Sequence, residues 1–294
     1  MSERSEFDTH HHEHPYTLPE NGSVIISPAT RTTYWIGENI AQGGFSHVFA
    51  CTDDWRHDLV AKVLKPVGEW HETQDKAISE VTAQSIVRSP HIVQVFDTFV
   101  FRGAYYVISE RCSLTLRELI QNERTRPAIW FPTLAKAIFH SLHFMHTQGL
   151  GHCDVHAGNV FLHFIPEPLT PNESAHVFKL GDFGLTRPIE AMHPHGTFQH
   201  HITPPEALRP SEFGPLDHRA DLYQAGLLLL GFLLGAECRF DGDEILAARP
   251  RELAEALQHP AGEVLAKLLR RHSEARPNSA LDAYRELQSH MLAQ

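Results

Sequence analysis

The sequence predicts an α+β protein with a small β-rich lobe followed by a larger, mainly helical lobe. Short β-like runs dominate residues 31–111, whereas helical periodicity dominates after residue 112. The chain has 294 residues, 42% of them hydrophobic, which is enough for two packed lobes that share a cleft. We therefore expect an arm over residues 1–30, a first lobe over residues 31–112 and a second lobe over residues 113–294.

The arm is predicted from its composition, and the first lobe from its strand runs. Residues 1–30 are polar and contain prolines and a histidine cluster, so we expect poor order there. Runs rich in β-branched and aromatic residues predict the strands of the first lobe, and one helix is expected over about residues 71–87. The strands are expected at residues 33–40, 47–52, 59–64, 92–96 and 104–110.

The second lobe is predicted from apolar residues at helical spacing. One amphipathic helix has its apolar face over residues 134–145, and the last helix has one over residues 280–291. The longest apolar run, residues 225–236, is too short to span a bilayer, so it predicts a buried core helix. Several prolines over residues 163–176 predict a long surface loop inside a hairpin.

Charge and cysteine content limit the partners and the compartment. The formal net charge of -11 argues against non-specific binding to nucleic acid or to an anionic membrane. The four cysteines lack C-x-x-C spacing and the N-terminus lacks an apolar signal core, so a reducing, cytoplasmic compartment is expected. The histidine clusters lack cysteine or carboxylate partners at fixed offsets, so we expect solvated loop histidines there. The sequence makes no prediction about oligomeric state.

Two short segments contain the residue types needed for phosphoryl transfer. Residues 151–159 have the sequence G-H-C-D-V-H-A-G-N, and residues 182–184 have the sequence D-F-G. Asp154 is expected to orient the substrate hydroxyl and accept its proton, while Asn159 and Asp182 are expected to hold metal ions on a nucleotide. A buried acidic cluster without a cation would be unfavourable, so these residues imply Mg²⁺, with Mn²⁺ as an alternative. The pattern predicts an ATP-dependent phosphotransferase.

The order of motifs resembles that of the eukaryotic-type (Hanks-type) serine/threonine protein kinases from about residue 34 to residue 292. Residues 40–48, I-A-Q-G-G-F-S-H-V, are similar to the G-x-G-x-x-G-x-V turn that covers the phosphates, although only its middle glycine is kept. Residues 59–64, L-V-A-K-V-L, are similar to the strand with the nucleotide-binding lysine. The resemblance implies the bilobal protein-kinase fold, with a small antiparallel β-rich N-lobe that has one helix and a larger, mainly helical C-lobe.

The resemblance also implies roles for individual residues. Lys62 would contact the α- and β-phosphates and pair with Glu80 on the predicted helix, and His156 takes the place of the lysine that approaches the transferring phosphate. The backbone at Glu110 and Cys112 would bind an adenine edge at the hinge. The phosphate turn would comprise Ala41, Gly43, Gly44 and Ser46, and the residues that enclose the adenine ring would be Val48, Ala61 and Phe161.

Departures from the family pattern leave two alternative functions open. Cys153 replaces the arginine that in many kinases binds a phosphorylated activation segment. The D-x-H-x-x-N pattern at residues 154–159 also resembles small-molecule kinases of the aminoglycoside and choline phosphotransferase type. The missing glycines, Cys153 and His156 are also compatible with a weakly active pseudokinase scaffold.

Downstream residues favour a protein substrate. The sequence T-P-P-E at residues 203–206 is similar to the A-P-E that ends a protein-kinase activation segment, and Arg276 is placed to pair with its glutamate. Asp221 opens a segment similar to D-x-W-x-x-G, with Tyr223 in place of the tryptophan. The catalytic loop lacks the tyrosine-kinase patterns, so we expect transfer to Ser/Thr hydroxyls of proteins, including autophosphorylation.

Overall fold

The computed structural model describes residues 17–44, 46–65, 89–122, 127–166, 174–194, 198 and 202–292. The chain divides into two compact units, the first formed by Met1–Ala77 with Phe96–Ser109 and the second by Ile78–Val95 with Glu110–Gln294. The predicted helix over residues 71–87, with Glu80, lies outside the described residues. The border between the lobes that was expected after residue 112 stays a prediction.

The described strands of the first unit form a six-stranded sheet in the order β1-β2-β3-β4-β6-β5. Adjacent pairs from β1 to β4 are antiparallel, and their side chains alternate between a buried core face and an opposite face. Tyr34, Phe49 and Ala61 belong to that core, together with Phe99 and Tyr106. The strands are β1 (Val24–Ile26), β2 (Thr33–Gln42), β3 (Ser46–Asp53), β4 (Asp58–Leu64), β5 (Val95–Phe101) and β6 (Ala104–Glu110).

Strand β1 corrects the predicted extent of the N-terminal arm. Val24 pairs with Trp35 and Ile26 with Thr33, which places Ile25 in the core with 2% of its surface exposed. The V-I-I triplet is β-branched throughout and directs its middle side chain inward, so it extends the sheet instead of remaining in the arm. Order therefore begins before residue 30.

The strand expected at residues 92–96 is also wrong in its position. Ile92 forms an isolated bridge to Leu180, and the amide of Val93 donates to the carbonyl of Leu180 at 2.9 Å. Because these backbone groups are already paired with a segment of the second unit, the sheet strand β5 begins only at Val95.

The second unit is mainly helical, as predicted. Its core gathers around two long helices, and the second of these is buried along nearly its whole length, as expected for the apolar run. None of the described helices is long and apolar enough to cross a membrane. The helices are α1 (Leu116–Gln121), α2 (Pro127–Thr147), α3 (Pro205–Leu208), α4 (Pro210–Phe213), α5 (Arg219–Leu234), α6 (Gly242–Leu246), α7 (Arg249–Glu255), α8 (Gly262–Leu268) and α9 (Ala280–Leu292).

Two small sheets of the second unit shape the region of the predicted catalytic residues. One has the order β10-β9-β7, and the other pairs β11 with β8. The predicted loop over residues 163–176 is shorter than expected, because antiparallel pairing continues to the pair Pro166 and Ser174. These strands are β7 (Leu114–Thr115), β8 (Leu150–Gly151), β9 (Val160–Pro166), β10 (Ser174–Leu180) and β11 (Arg187–Pro188). The expected α+β class is observed, with a β-rich first unit and a mainly helical second unit.

Candidate active site

The backbone of the predicted catalytic loop is held by one buried carboxylate. Asp221, in the first turn of α5, accepts hydrogen bonds from the amides of His152 and Cys153, both at 2.8 Å, and from Nε2 of His146 at 2.9 Å. Burial alone would raise the pKa of Asp221, but these donors and nearby charges lower it below its usual value. The contacts support Cys153 at φ 67°, a left-handed conformation that is strained for a residue with a side chain.

Asp154 and Asn159 lie side by side, as their spacing predicts. The side-chain amide of Asn159 donates to the carbonyl of Asp154 at 3.0 Å and to its carboxylate Oδ2 at 2.9 Å. This use of the NH₂ group directs the amide oxygen of Asn159 away from Asp154, as a metal ligand requires. The Asp154 carboxylate is therefore fixed in orientation, with only 5% of the residue exposed.

His156 lies beside the same carboxylate. Its Nδ1 accepts a hydrogen bond from the amide of Gly158 at 3.0 Å, so in the neutral ring Nε2 carries the proton. That Nε2 lies 3.6 Å from Oδ2 of Asp154, within ion-pair distance. A β-carbon added to Gly158 would lie 2.8 Å from the His156 ring and 3.0 Å from Nη1 of Arg117, so a larger residue there would displace the ring. His156 can thus place a hydrogen-bond donor next to Asp154.

A buried histidine connects this loop to the strand before Asp182. His152 is fully buried, its ring packs 5.2 Å from the ring of Phe183, and Nε2 lies 3.2 Å from the carbonyl of Gly181. Burial lowers the pKa of His152 despite the nearby carboxylates, so the ring is neutral and donates from Nε2. The amide of Asp154 in turn donates to Nδ1 of His152 at 3.3 Å.

The two predicted metal ligands are joined through the backbone of Gly181. Its amide donates to the carbonyl of Asn159 at 2.9 Å, and Asp182 follows it at φ 58°. A β-carbon on Gly181 would lie 2.8 Å from Val93 and 3.0 Å from Phe161, so a larger residue there would push these side chains apart. Asp182 is exposed, and its carboxylate and the amide oxygen of Asn159 are hard oxygen donors that suit Mg²⁺.

In the first unit, Lys62 occupies the face of β4 opposite the core. It pairs directly with Val48 across the antiparallel ladder, so the two side chains share a face. Ala61 is fully buried among the core residues on the other face, so it does not share a face with Val48, as the predicted adenine site would require. Strand periodicity of two places Val60, not Ala61, on the face of Lys62.

The predicted phosphate turn joins β2 to β3. Ala41 pairs with Val48, and the amide of Gly43 donates to the carbonyl of Ser46 at 2.9 Å. A β-carbon on Gly43 or on Gly44 would meet no described atom within 4 Å. Both glycines therefore border open space, where a ligand can approach the backbone closely.

At the predicted hinge, Glu110 has its amide committed to the protein. The amide donates to the carbonyl of Gln94 at 3.0 Å, so a hinge contact of the predicted kind would have to use the Glu110 carbonyl. Cys112 is half-buried, and burial raises the pKa of its thiol to about 12. Phe161 is half-buried on β9, opposite Thr115 of β7 and Lys179 of β10.

Comparison with known proteins agrees with this arrangement of motifs. The protein kinase domain family matches residues 34–292. The chain belongs to the protein kinase domain family. The resemblance to eukaryotic-type serine/threonine kinases is therefore confirmed.

Several serine/threonine kinases are similar to this kinase domain. It is 26% identical over 275 residues to serine/threonine-protein kinase PLK2 of Rattus norvegicus, covering 88% of this chain and 38% of that protein. It is 28% identical over 210 residues to cell cycle serine/threonine-protein kinase CDC5/MSD2 of Saccharomyces cerevisiae, covering 69% and 28% respectively. For the probable serine/threonine-protein kinase zyg-1 of Caenorhabditis briggsae the identity is 26% over 198 residues, covering 67% and 26%. The kinase domain thus spans well under half the length of these relatives.

The predicted pair downstream of the activation segment is present. Arg276 and Glu206 have fully buried side chains joined by two hydrogen bonds, Nη1 to Oε1 at 2.7 Å and Nη2 to Oε2 at 2.6 Å. The guanidinium also lies 4.8 Å from the centre of the Tyr223 ring. Its remaining N–H groups donate to backbone carbonyls, which include that of Arg219 at 2.9 Å. This fully bonded pair anchors the residues that follow the activation segment.

Cys153 lies in an apolar cluster with Met192 and Ala220. Burial raises the pKa of its thiol far above the usual value, although the guanidinium of Arg187 opposes this shift. Arg187 pairs with Gly151 in the two-stranded sheet, so a cation lies near the position where many kinases have the phosphate-binding arginine. Sequence reasoning missed Arg187, because its position becomes evident only once β8 and β11 are paired.

Sequence reasoning also missed two residues that hold the predicted catalytic loop and the predicted hinge in place. His146, at the end of α2, shares the Asp221 carboxylate with the catalytic loop, and Lys179 pairs with Glu110. The sequence contains a weak signal for Lys179, a lone lysine inside a strand three residues before Asp182. No short-range pattern marks His146, because its partner is 75 residues away.

A small cavity that is partly open to solvent borders the predicted catalytic loop on the side of His156. Its walls are mostly apolar, and Glu237 supplies a carboxylate that pairs with Arg117 at 2.8 Å. The lining residues are Ile120, Val155, His156, Ala157, Ile202, Leu227, Leu228, Gly231, Glu237 and Cys238.

Proposed function

We propose that this kinase domain transfers the γ-phosphoryl group of ATP to Ser/Thr hydroxyls of protein substrates, and that it also autophosphorylates. The observation that carries the proposal is the fixed Asp154 carboxylate, bonded to Asn159 and supported by the Asp221 network. A carboxylate held in this way is pre-oriented to receive a proton from an attacking hydroxyl. The names of the similar proteins support serine or threonine as the acceptor.

The residues divide the work of the reaction among them. Asp154 would orient the acceptor hydroxyl and take its proton, while the Nε2 donor of His156, 3.6 Å from the Asp154 carboxylate, would contact the transferring phosphoryl group. Asn159 and Asp182 would hold Mg²⁺, or Mn²⁺ in its place. When bound, the metal supplies positive charge that neutralises the phosphate oxygens. Lys62 would contact the α- and β-phosphates, with Glu80 as its predicted partner.

The nucleotide would be held by the turn and the hinge. The open backbone at Gly43 and Gly44 suits close approach to phosphates, with Ala41 and Ser46 completing the turn. In the adenine site Val60 replaces Ala61 beside Val48, because only Val60 shares a face with Lys62. The carbonyl of Glu110, the backbone of Cys112 and the ring of Phe161 would complete that site.

A protein substrate is favoured over an aminoglycoside or choline by the buried pair between Glu206 and Arg276. This pair fixes the segment directly after the activation segment, a feature that the resemblance links to protein kinases. We also propose a cytoplasmic location, since all four cysteines are free and half-buried or buried.

The test compares Asp182→Ala with the wild-type protein. Loss of the exposed metal ligand should lower Mg²⁺-dependent ATP turnover by on the order of a hundredfold or more. Glu212→Ala, which removes an exposed carboxylate from α4, is the matched control and should leave turnover unchanged. Mg²⁺ dependence of fluorescent-nucleotide binding provides a readout that does not require turnover.

The same assay separates the alternative functions. Radiolabel from ATP should appear on a generic acceptor protein and on the kinase itself, not on an aminoglycoside or on choline. Retained turnover in a folded Asp182→Ala protein would refute the metal assignment. Absence of turnover in the wild-type protein, with intact nucleotide binding, would support the scaffold instead.

A further inference from the structure

A buried ion pair connects the predicted hinge to the strand that leads to Asp182. Nζ of Lys179, on β10, lies 2.7 Å from Oε1 and 2.8 Å from Oε2 of Glu110, at the end of β6. Both side chains are largely buried, with 10% and 14% of their surface exposed. Two groups desolvated to this extent interact more strongly than a surface pair, and either one left alone would be costly.

Glu110 is held on its backbone as well as on its side chain. Its amide donates to the carbonyl of Gln94 at 3.0 Å, and its Oε1 accepts from the amide of Gln94 at 2.7 Å. The lysine, the carboxylate and Gln94 therefore form one closed set of hydrogen bonds. This set fixes the Ser109–Glu110 peptide plane and the Glu110 side chain. The Glu110 carbonyl belongs to the following peptide, so its direction then depends on one remaining backbone torsion, ψ of Glu110.

We propose that Lys179 is a positioning residue for nucleotide binding, which acts by holding the Glu110 carbonyl in the direction required by the adenine edge. The inference rests on the proposed function, because it assumes that adenine binds at Glu110. Lys179 also pairs with Phe161 across the ladder between β9 and β10, so it supports the strand that carries a second predicted adenine contact. Lys179 itself touches no reacting atom in this scheme.

The experiment measures nucleotide binding and steady-state kinetics for Lys179→Met. Removing the ammonium leaves the Glu110 carboxylate buried without its cation, so the carboxylate should turn toward water and displace the hinge backbone. We expect the Kd for a fluorescent ATP analogue and the KM for ATP to rise by on the order of tenfold. The kcat at saturating ATP should change less than twofold, because the catalytic groups remain in place.

Two further variants separate positioning from general stability. Lys267→Met removes another lysine that bridges two carboxylates, Glu263 and Glu286, and it should leave nucleotide affinity unchanged. The double variant Glu110→Gln with Lys179→Met removes both charges but keeps an acceptor for the Gln94 amide. It should recover most of the lost affinity, and it also tests the proposal if Lys179→Met alone does not fold.

The outcomes are distinct. Wild-type affinity in a folded Lys179→Met protein, or equal loss in Lys179→Met and in Lys267→Met, would overturn the positioning role. A double variant that binds nucleotide no more tightly than Lys179→Met would also overturn the positioning role. If the wild-type protein binds no nucleotide at all, the proposed function fails instead.

Discussion

At the residue scale, backbone strain coincides with the predicted chemistry. Cys153 and Asp182 both adopt a left-handed φ, and each adjoins a residue that is held by specific hydrogen bonds. Such conformations persist only where neighbouring contacts enforce them, and the Asp221 carboxylate supplies two of those contacts. Asp154 stays buried next to Cys153, whereas Asp182 is itself strained and exposed.

The environment of Cys153 leads to a prediction about activation. The buried, neutral thiol of Cys153 cannot bind the phosphate group of a phosphorylated activation segment. We therefore expect the kinase to be active without activation-segment phosphorylation. Thr186 is buried, Thr203 is half-buried, and Thr197 lies outside the described residues. Phosphatase-treated protein and a Thr197→Ala/Thr203→Ala variant should match untreated enzyme within about twofold on a generic acceptor protein.

The prediction would be wrong if Arg187 binds the activation-segment phosphate in place of the missing arginine. A large loss of activity after phosphatase treatment, restored by autophosphorylation, would show that another cation receives the phosphate. If Arg187 is that receiver, Arg187→Gln should abolish the restoration, since glutamine keeps hydrogen-bond donors but removes the charge.

At the element scale, side chains of helix α5 hold the backbone of the predicted catalytic loop through hydrogen bonds. Besides Asp221, it contributes Gln224, whose Oε1 accepts from the amide of Val155 at 2.9 Å. The side-chain amide of Gln224 lies 3.2 Å from the carbonyl of Cys153 and 3.3 Å from that of Ile202. One buried helix therefore fixes both the catalytic loop and the end of the activation segment, which explains why its polar residues are buried.

The same region provides a stability prediction. Arg276→Ala would leave the fully buried Glu206 carboxylate without its partner, and we expect a loss of about 3–5 kcal/mol in unfolding free energy. Arg209→Ala is the matched control, because its pair with Glu212 is exposed and should contribute less than about 1 kcal/mol. Urea unfolding at pH 7.5 measures both, and equal losses would refute a special role for the buried pair.

At the scale of the whole molecule, one buried and two half-buried histidines make the unfolding free energy depend on pH. Burial lowers the pKa of His152, His91 and His259 below the usual value of 6.5. The native state therefore keeps these rings neutral where the unfolded chain would protonate them. Their contribution is complete above about pH 6.5 and is lost as the pH falls toward the lower native pKa values.

We therefore expect the unfolding free energy to decrease between pH 7 and pH 5.5. Each such histidine contributes a slope of at most about 1.4 kcal/mol per pH unit. His259→Asn should make the slope shallower, since asparagine can replace Nδ1 as acceptor for the Ala261 amide without titrating. Urea midpoints at several pH values test this, and a slope unchanged by His259→Asn would contradict it. The pKa values of Asp221 and Asp217 lie below the usual 3.8, so these carboxylates change the unfolding free energy only at lower pH.

The sequence by itself determined the family, the fold class and the catalytic motifs. Asp154, Asn159 and Asp182 were identifiable as candidates because the roles predicted for them depend on short, ordered spacings, and chain connectivity alone brings Asp154 near Asn159. Strand patterns also located β2, β3, β4 and β6 to within a few residues, since a half-buried strand alternates visibly.

Only the tertiary structure decided the contacts between distant segments. The choice of Val60 over Ala61 depended on which face of β4 packs into the core, and the displacement of β5 depended on the bond between Val93 and Leu180. The pairing of Lys179 with Glu110 joins residues 69 positions apart. Local sequence encodes periodicity and spacing, whereas these partners are chosen by burial, which depends on the packing of the whole chain.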